Sequence, residues 1–365
     1  MRSVSDYADV LAVGLPLIDL RSPAEFRRGA FPGAVNAPLL TDAEREQVGI
    51  RYKHGGLDAA IALGNTLVSG DAKDARLSAW QRIVDEHPDA MLYCWRGGLR
   101  SETVQRWLAE TGRQVPRISG GYRALRRFCI DALERRREWL AVGGRTGVGK
   151  TDIVRQAPHS IDLEGLANHR GSAFGKRSTP QPTPISFENA LAAELLRKDA
   201  RMGAGSRQRS QHGPGSVPAV VEDESRTIGR LAIPEGVYRD MQAASIVLVE
   251  SDRQTRVENI YREYVVEADD PAQLRETLET SLDNIRRRLG GDRHREVRDR
   301  MGHAFDVGDA DAHRAWIGML LDWYYDPMYD YQIRRKSPRI VFRGDADAVL
   351  NYLKTVVASA TGSRR

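Results

Sequence analysis

Hydrophobic and polar positions switch between two periods along the first third of the chain. The apolar run Leu17-Ile18-Asp19-Leu20, closed by Arg21-Ser22-Pro23, predicts a short strand. Residues 71–87 carry Leu77, Trp80, Ile83 and Val84 at helical spacing and predict an amphipathic helix. Met91-Leu92-Tyr93 predicts a second strand, which runs into a glycine-containing loop over 94–100. Ser101 reads as an N-cap, with Val104, Trp107 and Leu108 on one face of the next helix. A strand over 115–118 and a helix over 122–137 follow. Such βα alternation predicts a parallel-sheet α/β domain over residues 1–137.

The pattern then restarts without a linker. Trp139-Leu140-Ala141-Val142 predicts a strand feeding residues 143–151, with later strands over 217–221 and 246–249 and helices between. A second α/β domain is expected over 138–357, followed by a flexible tail over 358–365. The least ordered internal stretch should be 201–218, rich in Gly, Ser, Gln and Arg. No run of 18 apolar residues occurs, which excludes a membrane-spanning helix. Asp6 and Asp9 near the start argue against a secretory signal, so a cytoplasmic location is expected.

Charge adds a weak hint. The chain has 55 basic and 50 acidic residues, a net +5 and a pI near 9.2. That permits a nucleic-acid partner without demanding one. Seven of the basic residues are lysine and the rest arginine. Arginine forks onto phosphate and stacks on bases, although a GC-rich genome also produces this ratio. Two cysteines, Cys94 and Cys129, make no disulfide framework and leave room for a reactive thiol. Cys129 shares a helical stripe with Leu125, Phe128, Ala132 and Leu133 and reads as core.

Two loops carry the chemistry. Gly144-Arg145-Thr146-Gly147-Val148-Gly149-Lys150-Thr151 has the spacing G-x-x-x-x-G-K-[ST], after a strand and before a helical pattern. Glycines let backbone N–H groups close around phosphate oxygens, Lys150 adds a point charge, and the Thr151 hydroxyl can hold Mg²⁺. The acidic strand end Glu222-Asp223 can orient that ion through water, or can be an ordinary buried strand with an acidic exit. In the second loop, Cys94 sits directly after a strand and before a helix. Arg96, Gly97, Gly98, Arg100 and Ser101 around it would form a cradle for a tetrahedral oxyanion and favour a thiolate. Sulfur-transfer enzymes and phosphatases both use this arrangement.

The segments Leu17-Ile18-Asp19-Leu20-Arg21-Ser22-Pro23-Ala24-Glu25-Phe26 and Phe31-Pro32-Gly33-Ala34-Val35-Asn36-Ala37-Pro38 resemble the opening of a rhodanese domain, and Cys94 falls where a rhodanese places its catalytic cysteine. Its loop resembles the longer form that accepts phosphate-like anions. Beyond the P-loop stand Asp162 to Ser172, Gln181-Pro182, Phe187-Glu188-Asn189 and Glu224-Ser225-Arg226-Thr227-Ile228-Gly229. A rhodanese domain fused to such a P-loop NTPase-like unit resembles the tRNA 2-selenouridine synthase family, also described as tRNA 2-thiouridine geranyltransferases. The resemblance spans about residues 5–355. Thr183-Pro184 departs from the Ser-Gln-like pair expected there.

The resemblance implies a tRNA substrate carrying wobble 2-thiouridine in its anticodon loop. Its sulfur would attack C1 of geranyl diphosphate, with the diphosphate on Gly144, Thr146, Gly147, Gly149, Lys150 and Thr151. Selenium from selenophosphate, carried on Cys94 as an S-selanylcysteine, would then replace the geranylated sulfur. No tightly bound cofactor is expected, Mg²⁺ being optional, and the chain is expected to act as a monomer. In residues 162–172, His169 and Arg170 would contact phosphate or the base, and Glu164 would serve Mg²⁺ or a proton. Ser172, Glu222 and Arg226 are further candidates around the substrate. A structural strand-to-loop element is the alternative there.

For tRNA contact the candidates are Arg286, Arg287 and Arg288, and Arg334, Arg335 and Lys336 behind the aromatics Trp323, Tyr324, Tyr325, Tyr329 and Tyr331. Solvated helix faces and core packing are the alternatives. Two other classes of function remain open: a P-loop kinase or ATPase carrying a sulfurtransferase domain, and a phosphate- or RNA-binding adaptor.

Overall fold

Each half of the chain builds its own parallel sheet. The computed structural model describes residues 3–202, 217–268 and 270–362. It separates into two units, Met1–Glu134 with Thr183–Arg201, and Arg135–Pro182 with Met202–Arg365. Much of the predicted irregular stretch 201–218 lies outside the described residues.

The first unit runs β1 (Ser3–Val4), α1 (Tyr7–Val13), β2 (Leu17–Asp19), α2 (Pro23–Arg27), β3 (Ala34–Asn36), α3 (Asp42–Leu67), α4 (Gly70–Glu86), β4 (Met91–Tyr93), α5 (Leu99–Glu110), β5 (Arg117–Ile118) and α6 (Gly121–Leu133). Its strand order is β1-β5-β4-β2-β3, every pair parallel. The central strands β2 and β4 lie with Ile18 opposite Leu92, both fully buried, as strands covered on two faces require. Local chemistry starts α2: Ser22 and Glu25 form a reciprocal capping box, with Pro23 in the first turn. The helix predicted over 71–87 is α4, which buries Trp80 and Val84. Helix α3 has no counterpart in the sequence pattern. It is bent at Gly56 (φ 75°), and Ala60 is its one fully buried residue.

Two local expectations change. Ser101 is not the N-cap: α5 begins at Leu99 behind Gly98, and the Ser101 hydroxyl donates back to the Gly98 carbonyl at 2.8 Å. Helix α6 stops at Leu133 rather than 137, and the following Arg136 and Arg137 are held by the buried carboxylate of Asp240 at 2.5 and 3.0 Å.

The second unit holds β6 (Trp139–Gly144), α7 (Lys150–Gln156), β7 (Ser160–Ile161) and α8 (Leu163–Ala167). The chain then leaves it for α9 (Pro184–Met202), which groups with the first unit through residue 201. Thr183 and Pro184 explain themselves here: the Thr183 hydroxyl accepts from the Ser186 N–H at 3.2 Å, and proline suits the first turn. Within the first unit, fully buried Asn189 donates to the Ala30 carbonyl at 3.0 Å and accepts from Arg126 at 3.0 Å, while Glu188 pairs with Arg126.

The second unit resumes with β8 (Ala219–Glu222), β9 (Thr227–Ile228), β10 (Leu231–Ala232), α10 (Glu235–Ala243), β11 (Ser245–Val249) and α11 (Arg253–Tyr261). Then come α12 (Leu274–Leu289), α13 (Gly291–Val307), α14 (Ala310–Leu320), α15 (Asp326–Lys336), β12 (Ile340–Gly344) and α16 (Ala346–Gly362). Helix α16 continues past the predicted start of the tail at 358. Strand order is β12-β11-β6-β8-β7, all parallel. Strand β6 is buried along its whole length between β8 and β11. The order reverses there, and ligands of open parallel sheets bind at such a point, beyond the carboxyl ends of the strands. Helices α12 to α15 close over a second core around Leu282, Val297, Trp316 and Leu321. Two π-helical turns, Arg262–Val266 and Leu321–Tyr325, extend α11 and α14.

Candidate functional site

In the first unit, β4 delivers Cys94 to the point where the strand order reverses between β2 and β4. Gly97 (φ 66°) and Gly121 (φ 59°) let two backbones touch: a Cβ on Gly121 would stand 2.2 Å from the Cys94 carbonyl oxygen. The Tyr122 N–H donates to that oxygen at 2.8 Å and the Arg123 N–H to Trp95 O at 3.0 Å. The Cys94 sulfur is buried, 3.4 Å from the Ser101 hydroxyl and 3.8 Å from the Gly98 carbonyl. Helix α5 starts immediately beyond, where its first N–H groups have no partners within the helix.

The cradle differs in its arginines. Arg100 turns to Glu25 at 2.7 Å, a pairing that, against burial, holds this carboxyl below its usual range. Arg96 is exposed beside the loop, and Arg117, which the sequence did not suggest, donates to the Gly97 carbonyl. A further network escaped the sequence reading. Arg21, almost fully buried, pairs with Asp19 at 2.6 Å and lies over the Tyr122 ring at 3.7 Å; the Tyr93 hydroxyl donates to Asp19 at 2.6 Å. Trp95 stacks on Tyr122 at 5.3 Å. Cys129 is fully buried, and burial pushes its thiol up to about 12, so it stays protonated.

In the second unit the P-loop opens onto a cavity of about 360 Å³ lined by Thr146, Gly147, Gly149, Lys150 and Thr151. The Lys150 ammonium donates to the carbonyls of Gly144 and Arg145 at 3.1 and 3.3 Å. Burial alone would lower its pKa; the Tyr329 hydroxyl and the carboxyls of Glu224, Glu164 and Asp223 outweigh that and raise it. The Thr151 hydroxyl donates to Glu164 at 2.7 Å. Gly171 (φ 66°) leaves Glu164 its place, since a Cβ there would lie 2.1 Å from Oε1. Burial and the charge of Glu224 raise Glu164, while burial and Asp223 raise Glu224 against the pull of Lys150 and of a hydrogen bond with Glu164. A hydroxyl beside two crowded carboxyls suits a hard divalent cation. No cluster of three or more metal-ligating side chains occurs among the described residues, so phosphate oxygens would have to complete the set.

Of the other predicted residues, Glu164, Arg170 and Ser172 line this cavity. Arg170 pairs with Glu263 at 3.2 Å and lies over the Tyr264 ring. The other three candidates do not reach it. His169 accepts the Gly171 N–H on Nδ1 at 3.2 Å and braces the loop from behind; burial and the nearby Arg177 and Arg170 keep it neutral. Glu222 is fully buried, accepts the Leu163 N–H at 3.1 Å, and is raised far above its usual value by burial. Arg226 pairs instead with Glu235 at 2.6 Å. Asp223, the other acid of the β8 exit, is tied to Lys336 at 2.7 Å. Lys336 is therefore committed to the second unit's own frame rather than offered to RNA. Glu224, Asn259, Glu263 and Tyr264, which the sequence did not single out for this cavity, also stand in its wall.

Arg286, Arg287 and Arg288 form the exposed last turn of α12 and make no ion pair among the described residues. Arg334 and Arg335 are exposed at the end of α15, with Arg335 over the Tyr331 ring. Tyr324 and Tyr325 are buried in the helical core. No helix among the described residues is long and apolar enough to cross a membrane.

Residues 3–127 match the rhodanese-like domain family, and residues 137–360 match the tRNA 2-selenouridine synthase AAA domain family. Curated relatives extend the likeness over the whole chain. The tRNA 2-selenouridine synthase of Pseudomonas fluorescens (strain Pf0-1) is 48% identical over 96% of this chain and 97% of its own length. The proteins of the same name from Bordetella petrii and Shewanella loihica are 47% and 45% identical, each over 96% of this chain and 95% of its own.

Proposed function

The chain belongs to the tRNA 2-selenouridine synthase family, a family of tRNA-modifying transferases, and from that premise we propose a division of labour between its two loops. In the first step the sulfur of wobble 2-thiouridine attacks C1 of geranyl diphosphate. The S–C bond forms as the C–O bond breaks, the base sheds its N3 proton, and pyrophosphate departs. Lys150 and the backbone N–H groups of the P-loop receive the growing negative charge, where a preorganised donor contributes most. Magnesium would be held by Thr151, Glu164 and phosphate oxygens, and would neutralise the same charge.

In the second step selenophosphate, held in the loop beside Cys94, attacks C2 through its selenium. The C2–Se bond forms as the C2–S bond breaks, geranyl thiol leaves with a proton, and water then cleaves the Se–P bond to release phosphate and 2-selenouridine. Alkylation prepares this exchange, because a thiocarbonyl sulfur is a poor leaving group and a thiolate a better one. Arg96 and the N–H groups at the start of α5 are the anion-binding groups next to Cys94. Cytoplasmic tRNA with its anticodon loop is the partner, and Arg286, Arg287, Arg288, Arg334 and Arg335 are the candidate contacts to it.

The observation that carries the reading is that each loop, one with a buried cysteine and one with Lys150 over a cavity, stands at the reversal point of its own parallel sheet. The test is to give the purified protein 2-thiouridine tRNA with geranyl diphosphate alone, then with selenophosphate added, and analyse nucleosides by mass spectrometry. S-geranyl-2-thiouridine followed by 2-selenouridine is expected. ATP turnover without any change in the tRNA would instead identify a kinase or ATPase.

A further inference from the structure

The P-loop cavity does not end at charged groups. Past Thr146, Ser172, Ile260 and Tyr264, which border both spaces, it adjoins a recess of about 30 Å³. Buried Leu278, Trp316 and Leu320 limit the depth of that recess. Both π-helical turns contribute to its wall, one through Tyr264 and the other through Leu321 and Tyr325. Such turns are rare and collect at functional sites.

The polar atoms around the recess are spent, with one exception. The Trp316 indole N–H donates to His313 Nδ1 at 3.1 Å, and the Ser172 and Tyr264 hydroxyls bond each other at 2.9 Å. The exception is Thr146, at the border of the two spaces. Its hydroxyl oxygen is sealed from solvent and has no hydrogen-bond partner. A buried hydroxyl without a partner needs an explanation. A nucleobase placed in the recess would bring several N–H and carbonyl groups into a space that can answer one of them, and each unmatched group counts against binding. A hydrocarbon brings none.

We infer that the recess receives the hydrocarbon tail of a phosphate ester whose diphosphate lies on the P-loop, and that its depth sets the longest tail accepted. The inference rests on the prenyl-donor reading above and adds the place and length limit of the tail. The tail passes Ile260 and Tyr264 and ends against Leu320 and Trp316. On rotation of its side chain toward the cavity, the Thr146 hydroxyl would donate to an oxygen of the diphosphate at the point where head gives way to tail. The main cavity, at about 360 Å³, already falls within the range of small-ligand sites, so the recess need take only the end of a ten-carbon chain.

The experiment measures calorimetric binding of inorganic pyrophosphate and of prenyl diphosphates with five, ten and fifteen carbons to the full chain. Each carbon withdrawn from water is worth roughly fourfold in affinity. The wild type should bind the ten-carbon ester at least tenfold (roughly two buried carbons) tighter than pyrophosphate. Leu320→Phe should shift the preference to five carbons, and Leu320→Ala to fifteen. Ile260→Phe, at the half-buried neck on α11, should weaken all three esters about tenfold relative to pyrophosphate, independently of any change in packing at Leu320. Thermal melts of each variant report folding. An unchanged chain-length order in both Leu320 variants and unchanged ester affinity in Ile260→Phe, with geranyl transfer to tRNA intact, overturns the tail site and leaves the donor reading standing. If the wild type binds no prenyl ester more tightly than pyrophosphate, the donor reading and the tail site fall together.

Discussion

Glu164→Gln should make the ligand-free protein more stable at pH 8 than the wild type, and not at pH 4.5. Glu164 is 8% exposed, and its carboxyl is pushed up to about 7, first by burial and then by Glu224, against the pull of Thr151 and Lys150. A carboxyl raised above its unfolded value of 4.5 favours the folded state only while protonated. That contribution is complete below about pH 4.5 and is lost as pH rises toward 7. At ~1.4 kcal/mol per pH unit, ionised Glu164 costs the folded state about 3 kcal/mol by pH 8. Glutamine keeps an acceptor for the Thr151 hydroxyl and removes the charge. Glu224 is tied to Glu164 by a hydrogen bond and the two carboxyls titrate as a pair, so about 3 kcal/mol is a ceiling for the effect. For a unit of this size that is a melting difference of roughly 6–12 °C. The assay is scanning calorimetry of both proteins at pH 4.5, 6 and 8 without ligands. A variant whose advantage fails to grow with pH would refute the idea that the cavity stores excess negative charge for a cation or a lysine to neutralise.

Three further outcomes are expected. Lys150→Ala should slow geranylation at least a hundredfold, about 3 kcal/mol for one preorganised donor, while selenation of tRNA supplied already geranylated largely survives; near-normal geranylation would assign the P-loop to another ligand. Cys94→Ala should let S-geranylated tRNA accumulate and abolish 2-selenouridine, both read by nucleoside mass spectrometry, because Cys129 is buried and protonated and cannot substitute. Should that variant still make 2-selenouridine at a comparable rate, the selenium step does not depend on Cys94. Replacing Arg286, Arg287 and Arg288 together by Ala should weaken tRNA binding and flatten its salt dependence by roughly 0.7 to 0.9 in log–log slope per lost contact; an unchanged slope would make that turn a solvated face.

Both loops were legible because glycine, strand and helix signals coincide with chemistry-bearing residues over about eight positions. What escaped the sequence was contact between distant segments. Nothing near Arg100 announces that Glu25, on α2, will take it out of the anion cradle. Nothing near Lys336 announces Asp223. At the acidic exit of β8 the cavity takes the third carboxylate rather than the first two. Side chains alternate along an extended strand, and although Glu222 and Asp223 stand nearest the strand, one is sealed beneath the Leu163 N–H and the other faces Lys336, leaving Glu224 for the cavity. Helix α3 was missed for a different reason. With Gly49, Gly55, Gly56 and Gly64 and a single fully buried side chain, it has no apolar stripe to detect. The π-helical turns carry no sequence signature at all, since their composition is that of the helices they extend.

The path of α9 bears on how such a protein can be inherited. Its residues 183–201 group with the first unit although the chain before and after them belongs to the second. A gene divided near codon 137 would yield a first half without the helix that buries Phe187 and Asn189, and a second half exporting that helix with its apolar side uncovered. A cut in the gene that kept both products covered would have to leave residues 183–201 with the first unit, as a rearranged order of segments rather than a simple division.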